Sequence, residues 1–144
     1  MNPGALLRRL RGGPDPATCH VSDRASWVLD WVARSIAAAL NAQGLPAALT
    51  ADPWALRRRL IHFHDRYTYF NGPPERLHGS TRVFLTWFHG DPADPLMAPV
   101  FEQLHAALPR LERIVVSCSA TREHAGAAGI PGEVMTQIPL GVDL

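Results

Sequence analysis

Lysine is missing from this chain: all 14 basic residues are arginine. With the abundant alanine, that reads as coding bias from a GC-rich genome and carries no functional message. Charge is scarce, with 19% of residues charged and a net charge of +1, so no global field favours nucleic acid or an anionic membrane. The two cysteines, Cys19 and Cys118, are too few for a disulfide framework. No apolar run approaches the roughly 18 residues needed to cross a bilayer. The opening MNPGALLRRLRGGPDP lacks the apolar stretch of about 7–15 residues that a secretory signal requires. A cytoplasmic protein is expected, with a flexible arm over 1–16 whose arginines give at most peripheral membrane contact. Phosphate cradles are missing too. VSDRASW, after the first strand, contains neither GxGxxG nor GxxxxGK[ST], and no GxSxG nucleophile elbow occurs anywhere.

What remains is a sequence of 144 residues, 47% hydrophobic, enough for one domain with one core over 17–144. ATCHVS (17–22) reads as a strand. Trp27 to Leu40 reads as an amphipathic helix, because Val28, Val32, Ile36 and Leu40 recur every four residues, and Gly44 ends it. PAALTA (46–51) is a second strand, and Pro53 opens a helical turn through Arg57-Arg58-Arg59 into the strand LIHFHD (60–65). TRVFLTWFHG (81–90) is β-branched and aromatic throughout, a helix follows over 96–108, and RIVVSCS (113–119) is again nearly all apolar. ATREHAGAAG forms a short helix closed by Gly129, and MTQIPLGVD a last strand. Strands apolar on both faces, alternating with helices, predict an α/β fold: a Rossmann-like parallel sheet of about six strands with helices on both faces.

In such sheets the ligand sits beyond the carboxyl ends of the strands, where strand order reverses. That singles out Ser22 and Asp23, His64 and Asp65, His89 and Gly90, and Ser117 to Ser119. Arg24 points at the same cleft as a candidate anion ligand. With the usual strand order 3-2-1-4-5, Cys19 and Cys118 are separated by two inter-strand spacings, roughly 9–10 Å, beyond a disulfide's reach of about 7 Å. Free thiols are expected.

Two segments carry chemistry. In HFHD, His62 and His64 alternate on a strand and project to one face, with Asp65 following. Imidazole and carboxylate suit zinc or iron, but an HxHxDH hydrolase needs Asp at 66 and His at 67, where this chain has Arg66 and Tyr67. No metal or other cofactor is expected on that ground. In TWFHGD, His89 leaves a buried strand with Gly90 behind it, held at the cleft mouth where it can donate to a sugar hydroxyl.

LIHFHD, then RVFLTWFHGD, then LERIVVSCSATREHAGAAGIPGEVMTQIPLGVDL resembles the N-terminal domain of retaining glycosyltransferases of the two-domain GT-B architecture, of the large family-4 type. The last segment matches at Ile114 to Val116, Ser119, Arg122, Gly129-Ile130-Pro131 and Ile138 to Asp143. The resemblance implies that IPLGVD is an interdomain join. A second Rossmann-like domain then supplies the Lys/Arg pair on the diphosphate and an acidic E-x7-E pair. It implies that His89 lies near the transferred sugar, catalytic in role. It places Asp23, Arg24, His64 and Asp65 on the acceptor side, with Gly90 and Ser119 also lining the substrate site. The implied activity is transfer of a sugar from a nucleotide-sugar co-substrate to an acceptor hydroxyl, inactive without a separate donor-binding domain or chain. The partners expected are thus a sugar acceptor and that second domain, and not nucleic acid. Two other readings stand beside it: a non-catalytic carbohydrate- or nucleotide-binding Rossmann-like module, and a metal-dependent hydrolase using His62, His64 and Asp65.

Overall fold

The computed structural model describes residues 17–22 and 28–139. The proposed arm over 1–16, Asp23, Arg24 and the end of the proposed join at 140–144 lie outside the described residues.

Six strands, β1 (Thr18–Val21), β2 (Ala47–Thr50), β3 (Leu60–Phe63), β4 (Arg82–Trp87), β5 (Arg113–Val116) and β6 (Met135–Gln137), form one sheet in the order β2-β1-β3-β4-β5-β6. Every pairing is parallel. Among the described residues four α-helices accompany them: α1 (Val28–Ala42), α2 (Arg66–Phe70), α3 (Ala98–Ala107) and α4 (Ser119–Ala127). This is the Rossmann-like α/β fold expected from the alternation of apolar strands and helices. Because parallel crossovers are right-handed, the β1-to-β2 crossover through α1 and the crossovers leading from β3 to β6 lie on opposite faces.

The strand order differs from the expected 3-2-1-4-5. β1 lies between β2 and β3, so two strands separate it from β5. The link from β2 to β3 explains the difference. It carries no helix, and its Trp54 and Leu56 are drawn onto the core, with the Trp54 ring 5.6 Å from that of Phe63. The chain therefore crosses over β1 on the core side. The helical turn expected at Arg57-Arg58-Arg59 is not formed. Arg58 instead has φ 53°, and its amide donates to Ser80 Oγ at 3.1 Å. Cys19 is buried in β1 and Cys118 exposed beyond β5, and no disulfide joins them.

The two faces of the sheet differ in chemistry. Val21, Ile61, Phe63, Val83, Leu85, Trp87, Ile114 and Val116 point to one face, all at most 1% exposed. They pack with Phe101 and Leu104 of α3 and Ala125 of α4 into one core. Each such side chain contributes about 1.5–3 kcal/mol when removed from water, so this face carries most of the hydrophobic stabilisation. By strand alternation the opposite face presents His20, His62 and Thr86.

Helix α1 covers that second face through Asp30, Ala33 and Ala37, which are buried. The expected stripe does not form the buried centre of the helix: Val32, Ile36 and Leu40 are half-buried, and Val28 is 58% exposed. The small alanines let the helix axis come close to the strands. Asp30 anchors it by accepting from Ser22 Oγ at the end of β1 and from Arg34 Nε at 2.7 Å. At its far end Asn41 Nδ2 donates to Ala37 O and Ala47 O, and Asn41 Oδ1 accepts from Ala47 N at 3.1 Å. One amide thus clips the helix end to the start of β2.

Candidate functional site at the strand tips

Strand order reverses at β1, whose connections lead to β2 on one side while β3 lies on the other, so the carboxyl ends of β1 and β3 flank a natural crevice. A pocket of about 160 Å³ opens there, lined by Val28, Leu29, Asp65, Arg66, Tyr67, Thr86, Phe88 and His89. Its walls are thus the start of α1, the turn after β3 and the tip of β4.

The turn after β3 is built by Asp65. Its carboxylate accepts from Thr68 N at 2.6 Å and Thr68 Oγ1 at 2.5 Å, capping α2. An N-cap aspartate supplies an orphan amide with its acceptor, so Asp65 lines the pocket with both oxygens already engaged. The next residue, Arg66, leans over the pocket wall. Its guanidinium donates to His89 O at 3.1 Å and to Tyr67 Oη at 3.0 Å, and lies 4.9 Å from the Tyr67 ring centroid and 5.3 Å from that of Trp87. Stacking on two aromatic faces fixes a planar cation that keeps further donors for an anionic or hydroxylated ligand.

His89 is exposed on the rim. Gly90, behind it, has φ 146°, a conformation that L side chains rarely adopt, and a Cβ there would come within 2.5 Å of Met97 Cε. The glycine lets the chain turn sharply off β4 and present the imidazole outward.

Below the pocket floor lies a group of three imidazoles. His20 and His62 are register partners on β1 and β3. His20 Nδ1 and His64 Nε2 share a hydrogen bond of 3.0 Å, and His62 Nε2 lies 2.8 Å from Thr86 Oγ1. The ring centroids are 4.1 Å apart for His62 and His64, 5.2 Å for His20 and His64, and 5.7 Å for His20 and His62. Burial disfavours their charged forms. It lowers His20 from 6.5 to about 4, and with the neighbouring His20 it lowers His64 to about 3. His62 is likewise lowered by burial and then by His64 and His20.

The structure therefore brings some of the residues singled out in the sequence together and separates others. His89 and Asp65 line the pocket. His64 is 2% exposed and belongs to the imidazole group beneath it. Gly90 supports the rim. Ser119 is exposed at the start of α4, beyond β5, and is not among the pocket residues. There Thr121 Oγ1 donates to Phe88 O at 2.9 Å, tying α4 to the tip of β4.

The sequence pattern alone does not single out Arg66, Thr86 or His20 as site residues. Arg66 had a readable signal, as the first residue after a capping aspartate at a strand tip. Thr86 and His20 are single polar residues in apolar strands, and only strand order tells what they meet.

The fold is that of a Rossmann-like α/β domain, with a pocket at its strand tips. No protein-family model, curated protein or solved structure matches the chain. No helix among the described residues is long and apolar enough to cross a membrane.

Proposed function

We propose that this chain is the acceptor-side half of a retaining glycosyltransferase, in which the strand-tip pocket receives the acceptor and a second, donor-binding domain closes over it. The observation that carries the reading is the placement of His89. A rim imidazole projects from the tip of the central strand β4, with Arg66 bonded to its own carbonyl and Asp65 on the same pocket wall. Sugar hydroxyls can take hydrogen bonds from an imidazole N–H and a guanidinium, and Arg66 extends the same grip to an anionic acceptor.

The surroundings fit a missing wall. Of the seven large apolar side chains exposed among the described residues, five (Val28, Trp31, Tyr67, Leu96 and Ile138) lie on segments that follow strands β1, β3, β4 and β6. Exposed apolar groups gathered at one end of a domain mark a surface meant to be covered. Transfer with departure of a nucleoside diphosphate needs stabilisation of the leaving charge and exclusion of water. The pocket supplies one arginine and an open mouth, so both tasks fall to the second domain.

The test is to incubate the purified chain with UDP-glucose or GDP-mannose and a panel of methyl glycosides. Calorimetry is expected to detect glycoside binding, and mass spectrometry no transferred sugar. Transfer by the chain alone, or no binding to any glycoside, overturns the proposal.

A further inference from the structure

We infer that His20, His62 and His64 form a transition-metal site under the pocket floor, with the ligand preference of zinc or cobalt(II). The inference goes beyond the glycosyltransferase reading and does not depend on it. It also replaces the ligand set suggested by the sequence. Asp65, which follows His64 in the chain, is committed to capping α2, whereas His20 arrives from the neighbouring strand.

The geometry is that of a three-imidazole site. One ring nitrogen from each histidine lies within 4.8 Å of the others. On a tetrahedral zinc with bonds of about 2.0–2.1 Å, ligand nitrogens stand roughly 3.4 Å apart. His20 Nδ1 and His64 Nε2 are already at 3.0 Å. Side-chain adjustments complete the set, with His20 and His62 held as register partners on β1 and β3 and His64 following directly after β3.

Polar bookkeeping points the same way. His20 is 3% exposed, and its Nε2 is buried with no hydrogen-bond partner. A buried polar atom left unmet is costly and calls for an explanation. Of the three rings, that of His20 is the one short of a protein partner, and a metal ion would supply one. Thr86 Oγ1, at 2.8 Å from His62 Nε2, provides the kind of outer partner that orients a ligating histidine. Thr86 also lines the pocket. Three protein ligands leave a fourth position for water, and Thr86 places the site beside a solvent-open cavity.

The experiment uses the whole chain, stripped of metal by a chelator and then titrated with cobalt(II), zinc and cadmium-113. One equivalent of cobalt(II) is expected, with the intense visible bands of a tetrahedral centre. In the nitrogen-15-labelled protein, cadmium-113 should split one imidazole nitrogen in each of His20, His62 and His64 and in none of His78, His89, His105 or His124. Thr86→Val should weaken zinc by about 10–100-fold, and His64→Ala should abolish stoichiometric binding. If His64→Ala does not fold, the cadmium couplings of the unaltered protein decide alone. Absence of stoichiometric metal at micromolar concentration, or couplings to other histidines, overturns the site. Because glycoside binding is read separately, that failure leaves the acceptor proposal standing, and the reverse holds as well.

Discussion

His20 Nδ1, on β1, and His64 Nε2, just past the end of the adjacent parallel strand β3, lie 3.0 Å apart although they are 44 positions apart in the chain. The contact exists because β3 returns beside β1 and not beyond β2. It places two desolvated rings where neither tolerates a charge.

Acid should therefore destabilise the metal-free fold in a defined window. The folded pKa values of His20 and His64 are depressed, from 6.5 to about 4 and about 3. Below 6.5 the unfolded chain takes up protons that the folded chain refuses, so the stabilisation is full above that pH and declines as pH falls towards 3. Each histidine can cost up to about 1.4 kcal/mol per pH unit. Urea unfolding at pH 7.5 and at pH 5 should show a clear drop in midpoint. An unchanged midpoint contradicts the neutral buried rings.

Asn41→Ala should lower stability by about 1–3 kcal/mol. It removes three hydrogen bonds and leaves the Ala47 backbone amide and carbonyl without the clip. Thermal unfolding followed by circular dichroism measures the loss, and no change would mean that the helix end is held by packing alone.

The legibility of this chain follows one division. Strands such as RVFLTW and RIVV announce themselves, since apolar β-branched runs suit only a sheet covered on both faces. The two-residue alternation of His62 and His64 was readable for the same reason. Strand order was not readable, because it depends on how a helix-free link of Trp54 and Leu56 packs across β1, and that is a tertiary preference. With the order went His20, whose partners belong to another strand. In α1 apolar periodicity points to Val28 and Val32 as the buried face, while close approach to the sheet selects Ala33 and Ala37.

Two glycine substitutions should act in opposite directions. Gly90→Ala forces φ 146° on an L residue and crowds Met97. It is expected to cost about 1–3 kcal/mol. Gly126→Ala lies inside α4 with nothing within 4 Å of the new methyl group, and should gain about 0.4–1 kcal/mol. Melting temperatures moving the other way would contradict the described backbone at either site.

His89→Ala should leave stability within about 0.5 kcal/mol, as expected of an exposed side chain, while weakening glycoside binding at least about tenfold. Arg66→Lys loses the planar, stacked fork that joins Tyr67, Trp87 and the His89 carbonyl. It should weaken the same binding with a small loss of stability. Calorimetry with one methyl glycoside compares all three proteins, and equal affinities would remove the rim from the site.

The most direct measurement is a nitrogen-15 amide titration of the whole chain with methyl glycosides in one series and UDP-glucose or GDP-mannose in another. The account predicts glycoside-dependent shifts confined to Asp65–Tyr67 and Phe88–Gly90, with the nucleotide sugars leaving those amides unmoved. Saturable nucleotide-sugar shifts at those amides, or glycoside shifts located elsewhere on the sheet, would contradict it.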